Sequence, residues 1–200
     1  MIDSKLDPVF MHNEYLFRRK VFKFPGAAFH IYDRNGSILF YSEQKPLRLK
    51  EDFRVYSDKS KSRELLVIKT PQIIDFSPTY YVKDATTGES VGALKRKGWK
   101  SLVRDEWIFL SNDGRRIGKL TESSMKRAIL SRFRILAIGL IPQEFIVLSR
   151  EGREICRIKQ HFNPFVLKYT LKIHDQDPPI DRRLLIAGCI LLLGIEGRQR

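Results

Sequence analysis

The run Leu184–Leu193, Leu-Leu-Ile-Ala-Gly-Cys-Ile-Leu-Leu-Leu, constrains the fold of this chain more than any other segment. A helix built from it is apolar on every side, has no face to offer water, and must be enclosed. Either lipid or protein encloses it. Leu184 to Ile195 gives only 12 residues without charge. At helical rise that is roughly 18 Å, against the ~30 Å of hydrocarbon that a span must cross. Asp181, Arg182 and Arg183 bound one end, and Glu196, Arg198 and Arg200 the other. The length predicts a core helix over about 181–195, with Leu184, Leu185, Ile186, Ile190, Leu191, Leu192 and Leu193 packed against protein.

The protein around that helix must come from the preceding residues, which read as short strands. Four segments share a strand–turn–strand pattern: 32–40, 82–94, 110–120 and 148–158. In each, a glycine (Gly36, Gly88, Gly114 or Gly152) follows polar residues at a tight turn, and two-residue hairpin turns are expected there. Apolar and polar residues then alternate, as in Ile117-Gly-Lys-Leu120, the period of a half-buried strand. The uneven spacing excludes a solenoid or propeller. Further strand candidates are 27–32, 53–56, 64–70, 73–76, 99–103, 107–110, 144–148 and 165–173. A closed sheet with the apolar helix in its lumen leaves no exposed edge and no empty interior.

One segment departs from this pattern. Ser123–Arg134 offers serine N-caps, with Met125, Ile129 and Phe133 on one helical face and Lys126, Arg127, Arg132 and Arg134 elsewhere. Such a basic amphipathic helix either lies on an anionic membrane surface or caps one end of a barrel.

The 200 residues suit one domain. Residues 1–20 read as an N-terminal arm, separate or part of the domain, and 21–200 as the barrel. At 42% apolar the chain has material for a core, and its net charge of +14 favours anionic partners. Cys156, in a strand candidate, and Cys189, in the helix, are expected to be small buried hydrophobes rather than a disulfide. Residues 1–14 are mixed and polar, with no leader pattern, so a cytoplasmic location with peripheral membrane association is expected.

Several stretches together resemble a known group. They are Phe53-Arg-Val-Tyr56, 81–92, Trp107 ahead of Asn112-Asp-Gly-Arg-Arg-Ile-Gly118, and Asp181–Leu193. In their order the chain resembles the tubby C-terminal-like superfamily, above all its LURP-one-related branch and the phospholipid scramblases, from about Val21 to Ile195. The resemblance implies a twelve-stranded antiparallel barrel threaded by a hydrophobic C-terminal helix. It also implies lipid: tubby-type domains recognise phosphoinositides through basic residues, and scramblases are membrane-associated. Scramblases carry an acidic calcium segment beside the last helix, where this chain has Asp175, Asp177 and Asp181. A calcium site needs six to eight oxygens, so these residues are expected to form a polar turn in which Asp181 caps the helix. The scramblase palmitoylation tract of cysteines is missing.

Catalytic motifs are not found. His12, His30, His161 and His174 are scattered, no zinc spacing, nucleophile elbow or phosphate loop occurs, and no metal or cofactor is expected. The remaining chemistry is basic. Lys95, Lys97, Trp99 and Lys100 form one candidate anion or lipid site, with Lys95 and Lys97 on one strand face and Arg96 on the other. Arg115 and Arg116 with Lys119 form a second, Lys126 and Arg127 a third, and Arg18-Arg19-Lys20 a further cluster. The resulting expectation is a non-enzymatic module that binds anionic membrane lipid headgroups peripherally. The alternatives are a protein-interaction scaffold without lipid contact, a scramblase-like membrane protein, and, less favoured, DNA association.

Overall fold

The period-two patterning of the strands resolves into an inner and an outer face. A computed structural model describes residues 6–20, 28–44, 52–71, 77–97, 106–123, 142–161, 163 and 166–196. Among these are twelve strands: β1 (Glu14–Lys20), β2 (Ala28–Tyr32), β3 (Ile38–Gln44), β4 (Asp52–Tyr56), β5 (Glu64–Lys69), β6 (Thr79–Asp84), β7 (Ser90–Arg96), β8 (Trp107–Leu110), β9 (Arg116–Glu122), β10 (Glu144–Ser149), β11 (Glu154–His161) and β12 (Val166–Ile173). Each pairs antiparallel with its sequence neighbours, and β12 returns to β1, so the sheet is a closed barrel without edges. The residues read as an arm contribute β1, whose Phe17 lies opposite Tyr169 on β12 and Ile31 on β2. Two strand candidates, 73–76 and 99–103, lie outside the described residues, as does the amphipathic segment beyond Ser123.

The four glycines at the repeated turns all have positive φ, between 76° and 89°. The turns themselves differ from the two-residue expectation. At Asp33–Ser37, Ser111–Arg115 and Ser149–Arg153 the first residue's N–H donates to the carbonyl four positions on, and its own carbonyl accepts from the glycine N–H. This is a three-residue loop: a type I turn closed by a left-handed glycine, with a register shift in the adjoining strands. The leading polar side chain explains the choice. Asp33 Oδ1 accepts from the N–H groups of Asn35 and Ser37, stabilising the open turn.

The helix α1 (Arg182–Glu196) occupies the lumen. Every residue from Leu184 to Leu193 is buried, with Leu185, Ile186, Ala187, Cys189, Ile190 and Leu191 fully inaccessible. It meets the wall on several sides: Leu184 lies beside Gly92 on β7, Gly188 against Phe109 on β8, and Gly194 against Phe53 on β4. A barrel of this strand number has a wide interior. Here the helix and the inward rings of Phe17, Phe29, Phe40, Phe53, Phe109, Phe145 and Trp107 fill it. Both cysteines are buried and free.

Polar contacts fix the helix at both ends. Asp181 is the N-cap, its Oδ1 accepting from the Arg183 N–H at 2.8 Å. Arg183 donates to Asp84 at 2.9 Å and Glu89 at 3.2 Å as well as to Asp181, while Arg182 donates to the His12 carbonyl and Asn13. The three carboxylates offset Arg183 and neutral oxygens accept from Arg182, two cations placed at the positive end of the helix dipole. At the other end Arg19 points inward and donates to the Leu193 carbonyl at 3.4 Å, a cation at the negative end.

Candidate functional site: a basic, amphiphilic barrel wall

The outward residues of β6 to β10 follow from strand register. Opposite Lys95 on β7 lies Ile108 on β8; opposite Ile108 lies Lys119 on β9; opposite Lys119 lies Leu148 on β10. A neighbouring row runs Tyr81, Ala93, Leu110, Arg116. With strands ~4.8 Å apart and alternate residues roughly 7 Å apart along each, both rows fit a patch about 20 Å wide. Apolar Ile108, Leu110 and Leu148 are half-buried between the cations, and Tyr81 is 55% exposed beside them.

Charge pairing separates the cations of this region into two groups. Lys97 is tied to Glu106 at 2.7 Å, Arg115 to Asp113 at 2.5 Å, and Arg153 to Asp175 at 2.8 Å. Among the described residues, Lys95, Arg116, Lys119 and Arg150 have no carboxylate partner. Glu106 registers the resulting potential. Burial opposes its ionisation, but the Lys97 hydrogen bond and the charges of Lys97, Lys119 and Arg116 outweigh that, holding its carboxyl below the ordinary 4.5.

At the turn end of the wall the β8–β9 and β10–β11 hairpins and the segment before α1 enclose a cleft of about 200 Å3, lined by Arg115, Arg116, Ile117, Arg150, Glu151 and Pro179. The segment is held close because a Cβ on Gly118 would stand 2.5 Å from Ile180 Cδ1.

The structure thus brings Lys95 and Arg116 onto one wall through Lys119. Arg96, between Lys95 and Lys97, points into the barrel, with its guanidinium 5.8 Å from the Trp107 ring centre. Trp99, Lys100, Lys126 and Arg127 lie outside the described residues. Arg150, Tyr81 and the apolar members Ile108, Leu110 and Leu148 were not among the sequence candidates. Period-two alternation on both sides of each turn is the signal that places them. At the other candidate location, Asp175 is paired with Arg153 and Asp181 with Arg183, and the described residues contain no group of three or more metal-ligating side chains.

No helix among the described residues is long and apolar enough to cross a membrane. The strands carry Lys83, Lys95, Lys119, Lys159 and Lys172 outward and their described phenylalanines inward, the reverse of the patterning of membrane-spanning barrels.

A closed twelve-stranded antiparallel barrel around a hydrophobic C-terminal helix is the architecture of the tubby-like superfamily. Within it, the chain belongs to the LURP-one-related family, whose model matches residues 38–193, from the start of β3 to the last turns of α1. No curated protein matches the chain in sequence.

Proposed function

We propose that this domain is a non-enzymatic module that docks peripherally on anionic membrane surfaces through the β6–β10 wall. The observation that carries the reading is the placement of Lys95, Lys119 and Arg116, none with a carboxylate partner among the described residues, around Ile108, Leu110 and Leu148. Cations gain from the negative potential of the lipid surface, while half-buried apolar groups and an exposed tyrosine suit the headgroup boundary. The domain's own apolar helix remains in the lumen, so attachment requires no insertion of it. Membership of a tubby-like family supports a lipid-binding or related role.

Co-sedimentation with phosphatidylserine-rich and pure phosphatidylcholine vesicles tests this. The protein is expected to pellet with the anionic vesicles at low salt and to be released by high salt. Each of Lys95→Ala, Arg116→Ala and Lys119→Ala is expected to lower the partition coefficient about fivefold. Equal binding to both vesicle types at low salt refutes the proposal.

A further inference from the structure

A second cationic cluster lies on a different wall and contains a histidine. On the outer face of β11, β12 and β1, His161 is opposite Lys168 and Lys168 is opposite Arg18, while in the next row Lys159 is opposite Thr170. With strands ~4.8 Å apart, these side chains share a patch on the order of 10 Å across. The His161 Nε2 is 2.7 Å from Thr170 Oγ1, which orients the ring and leaves Nδ1 turned away from that contact. Arg18 stacks its guanidinium 5.5 Å from the Tyr32 ring centre, and among the described residues it has no carboxylate partner.

Few carboxylates face this patch. On β10 the nearest is Glu144, opposite Lys159, and both it and Glu154 are taken by Arg157 at 2.9 Å. From β12 the facing groups are Lys168 and Thr170, from β1 Arg18, and on β11 itself Lys159. Burial first, and then the charges of Lys159 and Lys168, push the His161 imidazole below its ordinary 6.5. The ring therefore stays neutral where an isolated histidine begins to charge, because burial first and the neighbouring cations second both disfavour the charged form.

We propose that Lys159, His161, Lys168 and Arg18 form a docking site for a phosphate group of a soluble anion, with His161 taking up a proton as the anion binds. Three fixed cations supply the charge-assisted hydrogen bonds that a phosphate dianion accepts, and the imidazolium adds a fourth donor at Nδ1. Proton uptake follows from linkage: an anion that offsets Lys159 and Lys168 favours the charged ring, and the charged ring favours the anion by the same factor. The ligand is a soluble one because of barrel geometry. From β8, the centre of the first wall, to β12 is four steps of a twelve-strand circuit, roughly a third of the way round. One flat bilayer cannot meet both faces of so convex a surface.

The test has two arms. Binding of inorganic pyrophosphate at pH 7.5, followed by calorimetry, is expected to weaken at least several-fold in Lys159→Gln/Lys168→Gln and to be unchanged in Lys95→Ala/Lys119→Ala. The His161 ring titration, followed by NMR, uses sulfate as an oxyanion whose charge does not vary between pH 5 and 8. Its midpoint is expected to rise in sulfate relative to chloride at equal ionic strength, and that rise is expected to vanish in Lys159→Gln/Lys168→Gln. A midpoint indifferent to sulfate, or a rise that survives loss of both lysines, overturns the proposal. The vesicle experiment uses the other wall's residues, so the phosphate site can stand or fail without it; only the assignment of a soluble ligand rests on the first wall being the membrane-docking face.

Discussion

Asp84 and Arg183 form the most consequential single pair in the molecule. Their side chains are only 3% and 7% exposed and are joined at 2.9 Å, with Arg183 also held by Asp181 and Glu89. Burial alone favours the neutral acid at Asp84, but hydrogen bonds from Thr86 and Arg183, and from the backbone N–H groups of Thr86 and Thr87, outweigh it. The carboxyl is therefore held below its ordinary 3.8. A depressed folded-state value means that Asp84 contributes its full stabilisation above that ordinary value and loses it as pH falls below it. Asp84→Ala leaves a buried guanidinium without one of its partners and is expected to cost about 3–5 kcal/mol in denaturant unfolding at pH 7. The difference between wild type and Asp84→Ala is expected to shrink as pH drops through 4 toward 2. A constant difference across that range would show that the pair does not titrate with folding.

At the scale of elements, the helix and its sheath are matched by volume. Gly194 marks the closest approach: a Cβ there would stand 2.5 Å from Phe53 Cε1 and 2.7 Å from Cζ, and Phe53 is itself fully buried. Gly194→Ala is expected to destabilise the fold by about 1–3 kcal/mol through overpacking, and Phe53→Leu in the same chain is expected to recover part of that loss. Additive losses in thermal or denaturant unfolding would contradict the contact. The helix was legible because a chain segment apolar at every position and too short for a bilayer has one place to go. The hairpins were legible because glycine after a polar residue marks a positive φ. Loop length was not, since a type I turn with a left-handed glycine and a tighter two-residue turn draw on the same residues; only the hydrogen bonds that the leading residue makes, such as those Asp33 Oδ1 accepts, distinguish them. The segment Glu14–Lys20 ends Arg-Arg-Lys, which reads in sequence as one basic cluster. In the barrel its charges divide, Arg18 outward and Arg19 inward toward the Leu193 carbonyl.

For the whole molecule, burying the apolar rod in the lumen leaves the outside of the barrel free for charge. Runs of basic sequence pointed to Lys95 and Arg116, but runs are local and a wall is not. Lys119 was grouped with Arg116 in sequence, but Lys95, Arg150 and Tyr81 join that pair only through register between strands far apart in sequence. Pairing was equally hidden: Lys97 and Arg115 look like their neighbours in sequence, yet each is held by a carboxylate that the fold places beside it. His161 and Lys168 come together across the β11–β12 pair, where no sequence run signals a cluster.

The most direct measurement places a probe in the middle of the rod. Cys189 is fully buried, and burial raises its thiol well above the ordinary value. In a Cys156→Ala variant, maleimide labelling of Cys189 is expected to proceed no faster than global unfolding, with saturating phosphatidylserine vesicles as without them. Labelling that accelerates when those vesicles bind would show the helix leaving its barrel for lipid, and would contradict attachment by an outer wall around an intact core.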